Sequence, residues 1–523
     1  MSKTDKVLVY DTTLRDGAQS EGVSFSVADK IEIVKCLDNL EVDYIEGGFP
    51  SSNPKDIAFF EEVRKLKLKH ARVASFGSTR RVKSTASDDE GLSRMIATKT
   101  PVCTIFGKTW DLHVEKVLKT DLDTNLQMIA DSVKRLKRAR REVIYDAEHF
   151  FDGYRTNPEY ALKTLEAAAE AGAACLVLCD TNGGMTPLEM AEIVRTVAER
   201  FDVPLGIHNH NDAGMGDANS VAAVQAGCRH VQGTLNGLGE RCGNADLCVV
   251  IPTLELKCGY RVLGKQNLKK LTEVSRFVYE LLNAIPRSGQ PYVGRSAFAH
   301  KAGMHVAGVT RDSKTFEHIS PEAVGNTRRI LISELSGGST ILAKTEKLDV
   351  KGDKALTRKV LNEVTRLEEQ GYQFEAAEAS FELMVRRLAK PYDRFFELEH
   401  YRVINEIDRD RTSDTLLTEA TVKLRLEDTV EHHVAEGDGP VNALDGALRK
   451  ALVARYPQLD EMQLIDYKVR IINPRAGTAA KVRVIIGSRD HKDVWSTVGV
   501  SENIIEASWL ALVDAVEYKL LKD

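Results

Sequence analysis

The sequence predicts an α/β protein: a (β/α)8 TIM barrel, then a helical linker region, then a C-terminal α+β domain with an internal repeat. Three observations carry this expectation. Strand-like and helix-like segments alternate eight times within the first 285 residues. Polar residues gather just after the strands, where such a barrel carries its chemistry. From about residue 392 the apolar spacing changes from helical to strictly alternating. The expected divisions are 1–285 for the barrel, 286–391 for a linker with subdomains contributing to the active site, and 392–523 for a regulatory domain.

Val7-Leu8-Val9-Tyr10 reads as the first strand. Ser26 to Leu40 follows as a helix, with Ser26 as N-cap and Ile31, Val34 and Leu37 on one face. The second strand is Tyr44 to Phe49, followed by a helix from Pro54 to Leu66. Strands three to eight are Arg72–Phe76, Val102–Phe106, Val143–Tyr145, Cys175–Cys179, Leu205–Ile207 and His230–Thr234. Helices from Asn125 to Arg138, Pro158 to Ala171, Pro187 to Arg200 and Asp217 to Ala226 separate the later strands. An open doubly wound sheet is the competing architecture. It fits less well, because no Gly-x-Gly-x-x-Gly turn follows the first strand.

Pro286-Arg287-Ser288-Gly289-Gln290-Pro291 breaks the alternation. Lys354 to Gln370 and Phe381 to Ala389 read as helices, the latter stopped by Pro391. Beyond 392, Val422/Leu424/Leu426, Tyr467/Val469/Ile471 and Val482/Val484/Ile486 alternate with polar residues. One helix follows Gly439-Pro440 and another follows Ser501. Strands then helix, twice, suggest a duplicated unit. It would serve dimerisation or bind an effector between subunits.

Composition narrows the function classes. With 43% hydrophobic and 28% charged residues the chain is ordinary for a globular protein. A net charge of -5 offers no basic face to nucleic acid or an anionic membrane. No apolar run is long enough to span a bilayer, and no signal-peptide core opens the chain, so a cytoplasmic protein is expected. The eight cysteines contain no Cys-x-x-Cys pair and read as buried reduced thiols.

The chemistry centres on Leu205-Gly206-Ile207-His208-Asn209-His210. Residues i and i+2 of a strand share a face, so His208 and His210 can address one metal ion. The bland account is two polar residues at a solvated strand end. Asp16, at the end of the first strand, is a third ligand candidate in an equivalent place. Polar groups after the other strands are Arg15 and Gln19, Asp146 to His149, Asp180 to Gly184, and Gly237 to Asn244. Five such clusters in register with strand ends are hard to read as coincidence.

Leu14-Arg15-Asp16-Gly17-Ala18-Gln19, with Lys30 at matching spacing, resembles the first signature of the 2-isopropylmalate, homocitrate and citramalate synthases. Leu205 to Ala218, containing His-x-His-Asn-Asp-x-Gly-x-Gly, resembles the second, and Gly239 to Asn244 a third. Glu436 to Ala443 and Thr497 to Ile505 resemble the family's regulatory domain. Within the family, Gly17 to Ser26, Phe106 to Asp111 and Asp146 to Tyr154 are most similar to the citramalate-forming branch.

The resemblance implies a Claisen condensation of acetyl-CoA, as co-substrate, with pyruvate, followed by thioester hydrolysis. It implies a divalent metal ion (Zn, Mn or Mg) on Asp16, His208, His210 and Asn244, an oxygen/nitrogen set rather than a thiolate one. It places Arg15 against the developing alkoxide, Thr181 on the substrate carboxylate, and Glu148 in the same pocket to position substrate or carry a proton. His300, in Ala299-His300-Lys301-Ala302-Gly303, matches the family's catalytic histidine, with His305 and His318 as other candidates. Phe316 stands where the family usually has tyrosine, and it has no hydroxyl to move a proton. The resemblance further implies a homodimer and feedback by isoleucine through residues 392–523. The other acceptors open to such an enzyme are 2-oxoisovalerate, as in a 2-isopropylmalate synthase, and the acceptor of a homocitrate synthase.

Three other readings compete. Two histidines and a carboxylate also describe non-haem iron oxygenases, but Asn244 as a fourth ligand leaves too few open positions. A metal-dependent acyl-CoA lyase would not need the C-terminal domain. An inactive amino-acid sensor would not need Arg15, Asp16, His208 and His210 intact.

Overall fold

The computed structural model describes residues 6–51, 53–331, 354–389, 394–407, 416–427, 429–473, 477, 479–491 and 493–522. Eight parallel strands close into a barrel in sequence order. They are β1 (Leu8–Asp11), β2 (Tyr44–Glu46), β3 (Arg72–Ser78), β4 (Val102–Lys108), β5 (Glu142–Glu148), β6 (Cys175–Asp180), β7 (Leu205–Asn209) and β8 (His230–Gly233). Closure is made by β1 on β8, with Leu8 opposite His230 and Asp11 opposite Gly233. The doubly wound alternative is thereby excluded.

Helices follow the strands: α1 (Val27–Asn39), α2 (Pro54–Val63), α3 (Glu90–Ala97), α4 (Leu122–Arg138), α5 (Pro158–Glu170), α6 (Pro187–Ala198), α7 (Gly216–Ala226) and α8 (Leu247–Leu256). Ser26 caps α1 as the sequence predicts, in a capping box with Asp29. The sequence reading missed α3 and α8. Asp89 starts α3 by accepting from Leu92 N at 3.0 Å, and Asp246 starts α8 by accepting from Cys248 N at 2.9 Å.

Side-chain alternation along the strands sorts the barrel interior. Tyr10, Tyr44, Ala74, Val102, Ile144, Cys175 and Val177 form one buried cluster. Two or four residues further along the same strands stand Thr12, Glu46, Phe76, Phe106, Asp146 and Cys179, on the same side by period two. The lower interior is therefore packed and mostly apolar, while the upper layer sets the carboxyls of Glu46 and Asp146 beside Phe76 and Phe106. Strand β7 runs two residues beyond its expected end, because His208 pairs with Cys179 and Gln232 on both sides.

The chain separates into two compact units: residues 1–298 with 319–328, and residues 299–318 with 329–523. In the second, β9 (Ala299–His300) pairs with β10 (Arg329–Ile330), and α9 (Gly303–Arg311) lies between them in sequence. Helices α10 (Lys354–Glu369) and α11 (Glu378–Ala389) follow; Pro391 lies outside the described residues. Two repeats complete the chain. The first is β11 (Glu397–Ile407), β12 (Leu416–Leu426), β13 (Thr429–Gly437) and α12 (Pro440–Leu452). The second is β14 (Gln463–Ile471), β15 (Val482–Arg489), β16 (Val494–Ser501) and α13 (Ile504–Lys522). Each makes a three-stranded antiparallel sheet in sequence order. Val422, Leu424, Val484 and Ile486 are buried, as alternation predicts. Val469 and Ile471 are not, at 43% and 54% exposed, because they sit on edge strand β14 while α13 packs on β15 and β16.

No helix among the described residues is long and apolar enough to cross a membrane. All eight cysteines are free thiols, but not all are buried as expected: Cys242 is exposed, in the turn after β8, and Cys36 and Cys258 are half-buried.

Candidate active site

Period two puts His208 and His210 on one side of β7, and the turn after β1 brings Asp16 to them. The ligand atoms of Asp16, His208 and His210 lie within 4.8 Å of one another, and all three residues are buried. Asp16 Oδ2 stands 3.6 Å from His208 Nε2. Asn244 joins them through a bridge between its backbone and that of His210. Its Nδ2 donates to Asp16 Oδ1 at 3.1 Å and to Leu238 O at 3.0 Å. Two glycines make room for this turn. A Cβ on Gly239 would meet Asn244 Nδ2 at 2.2 Å, and one on Gly243 would meet Gly237 O at 2.0 Å.

The fit to a cation shows in what is left over. Asn244 Oδ1 and His210 Nδ1 are buried with no hydrogen-bond partner among the described residues. A buried polar atom without a partner costs about 1–3 kcal/mol, so such atoms point to a missing ligand. Protonation favours metal binding too. Burial depresses the imidazolium of His208, and burial and then His208 lower His210 to about 4, so both rings are neutral at pH 7. Burial pushes Asp16 up, but Arg15, His208 and His210 outweigh it and hold the carboxyl at about 2.

A second layer orients these groups. His208 Nδ1 donates to Gln232 Oε1 at 2.9 Å, while Gln232 Nε2 donates to Asp146 Oδ1 at 3.0 Å. Gln232 is thus fixed at both ends, and Nε2 of His208 keeps its lone pair. Burial, then Glu46, raises Asp146 well above the ordinary carboxyl range. Arg15 donates from Nε to Glu46 Oε2 at 2.5 Å and from Nη1 to Asp16 Oδ2 at 3.0 Å, and its guanidinium lies 3.8 Å from the centroid of Phe76. Glu46 is fully buried and also accepts from Tyr10 at 2.6 Å and Thr12 at 2.5 Å.

Arg15, Asp16, Phe76, Asp146, His208 and His210 line a cleft of about 230 Å³ that also takes in Gln19, Phe106, Glu148, Cys179, Thr181, Glu240 and Arg241. Phe76 and Phe106 stack at 5.4 Å and form an aromatic wall. Glu148 pairs with Lys108. Thr181 Oγ1 accepts from His149 N at 2.9 Å, which leaves its own hydroxyl hydrogen to donate elsewhere. A neighbouring cleft of about 500 Å³ shares Arg15, Gln19, Phe76 and Phe106 and extends to Lys30 and Lys55.

The structure therefore gathers Arg15, Asp16, Glu148, Thr181, His208, His210 and Asn244 at one rim. His300 belongs to the second unit and is described there. Sequence reasoning missed Glu46 and Gln232. The available signal was an acid and an amide on the inward positions of otherwise apolar barrel strands.

Comparison with known proteins bears on the whole chain. The HMGL-like family matches residues 6–278, the homocitrate synthase post-HMGL domain-like family 292–372, and the LeuA allosteric (dimerisation) domain 375–520. An (R)-citramalate synthase from Geobacter sulfurreducens is 53% identical over 99% of this chain and 98% of its own. One from Aquifex aeolicus is 54% identical over the same shares. A 2-isopropylmalate synthase from Methanocaldococcus jannaschii is 32% identical over 99% of this chain and 95% of its own.

Proposed function

The chain belongs to the family of the 2-isopropylmalate, homocitrate and (R)-citramalate synthases, and on that premise we propose that it condenses acetyl-CoA with pyruvate and water to give (R)-citramalate and CoA. The observation that carries the choice of acceptor is full-length identity above 50% to two (R)-citramalate synthases. The small aromatic-walled cleft beside Asp16, His208 and His210 supports it.

Asp16, His208, His210 and Asn244 would hold a divalent ion. Bound there, Zn, Mn or Mg supplies Lewis-acid polarisation of the ketone. The chain's own groups do the rest. Thr181 directs its free hydroxyl hydrogen to the pyruvate carboxylate. Arg15, locked by Glu46 and Asp16, offers a fixed positive charge to the alkoxide that forms at C2. Glu148 with Lys108 positions substrate or carries a proton. The base is His300: the acetyl methyl C–H breaks, the proton goes to the imidazole, and the carbon attacks the ketone. Water then cleaves the thioester and CoA leaves. The larger neighbouring cleft, with Lys30 and Lys55 on its lining, suits the acyl-CoA.

We further assign a homodimer and feedback by isoleucine to the C-terminal repeats, in keeping with the LeuA allosteric (dimerisation) match. The product's place in isoleucine synthesis and a cytoplasmic location belong to the same proposal. Initial rates of thiol release with pyruvate, 2-oxobutanoate, 2-oxoisovalerate and 2-oxoglutarate test the acceptor. Pyruvate is expected to give the highest kcat/KM. A preference for 2-oxoisovalerate would make the protein a 2-isopropylmalate synthase instead. Isoleucine without effect on the full chain would remove the regulatory assignment.

A further inference from the structure

His300 is held in place from two directions. Its backbone lies in the β9–β10 ladder, and its carbonyl accepts from Leu331 N at 2.8 Å. Its Nε2 lies 3.1 Å from Glu317 Oε1, with side-chain exposures of only 9% and 2%. Glu317 is itself anchored, since its N–H donates to Ser313 O at 2.9 Å. Close by in the chain, Lys301 pairs with Glu375, and Arg329 with Glu378 at 3.0 Å. Phe316, adjoining Glu317, stacks on His305 with centroids 4.2 Å apart and brings no hydroxyl.

We propose that Glu317 is a positioning residue for the condensation: its carboxylate fixes the tautomer and ring orientation of His300. The inference rests on His300 being the base, as assigned above. An ionised carboxylate only accepts hydrogen bonds, so Nε2 must carry the proton and Nδ1 keeps the lone pair. When the methyl C–H breaks, its proton goes to Nδ1 and its electron pair stays with the substrate. The imidazolium that results faces a buried negative charge, which lowers the cost of forming it. Glu317 is not protonated in this step.

Full-length Glu317→Gln, Glu317→Asp, His300→Gln and the double variant His300→Gln/Glu317→Gln test it, with kcat, KM for pyruvate and pH profiles. His300→Gln is expected to lose about 10²–10⁴ in kcat. Glu317→Gln is expected to lose roughly tenfold or more in kcat, with KM for pyruvate within about twofold. Its pH profile is expected to differ from that of wild type, because the base is no longer held in one tautomer. Glu317→Asp restores part of the rate, and Glu317→Gln costs nothing further once His300 is gone. An unchanged kcat and pH profile in Glu317→Gln would overturn the proposal. So would an equal loss in the His300→Gln background. Where Glu317→Gln fails to fold, Glu317→Asp decides alone: a wild-type kcat and pH profile overturns the proposal, and a lowered kcat with KM for pyruvate unchanged supports it. Full activity in His300→Gln would remove the base assignment and this inference together, leaving pyruvate-dependent thiol release intact.

Discussion

His208 donates from Nδ1 to Gln232 across 2.9 Å, and this contact sets which ring nitrogen is left to face Asp16. Gln232 cannot flip, because its amide nitrogen is committed to Asp146. Replacing it with leucine, Gln232→Leu, removes the acceptor and frees the ring. Metal affinity, measured by titration calorimetry, is expected to weaken by about 10–100-fold. An affinity equal to wild type would show that the ring needs no such support.

Glu46 neutralises Arg15 inside the barrel. In Glu46→Gln the guanidinium loses its fully buried counter-charge, and breaking such a pair costs on the order of 3–5 kcal/mol. Because Arg15 keeps Asp16 and Phe76, the lower end is expected, read as a fall in the urea midpoint together with a lower kcat. A stability unchanged from wild type would mean that Arg15 is satisfied without Glu46.

These two contacts also mark where the sequence stops being legible. His208 and His210 alone could be two polar residues at a solvated strand end; Asp16, at the end of the first strand, is what makes them legible as ligands. Strand ends mark the polar clusters that contain Arg15, Thr181 and Asn244, but their roles come from the resemblance of the surrounding motifs to the synthase family. Glu46 and Gln232 look like ordinary members of short strands, since nothing local says that the barrel closes and buries them. The eight barrel strands and their order were readable from periodicity. Helix α3 was not, because the Ser-, Thr- and Asp-rich run before it reads as loop until Asp89 is seen capping it. Nor could spacing show that Val469 and Ile471 fall on an edge strand, since alternation marks a face and not what covers it.

Asp217 gives the protein a pH signature. Burial, then Asp246, raises its carboxyl to about 7, above the ordinary value of 3.8. The folded state therefore binds the extra proton between these two values, and the contribution of Asp217 to stability falls as pH climbs from about 4 to about 7. Asp217→Asn keeps the acceptor for Asp246 N, now 2.7 Å away, and carries no charge. It is expected to be more stable than wild type at pH 8, on the order of 2–4 kcal/mol, and equal to it near pH 4. Guanidinium melts at the two pH values check this; equal stabilisation at both would reject the assignment.

Phe106 lines the cleft, stacked on Phe76. Phe106→Val opens that wall without removing the ring that supports Arg15. One methylene is worth about 1–3 kcal/mol in an apolar pocket. The ratio of kcat/KM for 2-oxobutanoate over pyruvate is therefore expected to rise at least about tenfold. An unchanged ratio would place the specificity wall elsewhere.

Thiol release from acetyl-CoA and pyruvate by metal-stripped enzyme, before and after Mn²⁺ is returned, goes to the heart of the matter. Wild type is expected to fall silent on stripping and recover fully with Mn²⁺, while Asp16→Asn, at the same metal concentration, does not recover. Full-rate thiol release by the stripped enzyme, or recovery of Asp16→Asn to the wild-type rate, would contradict a cation held by Asp16, His208 and His210.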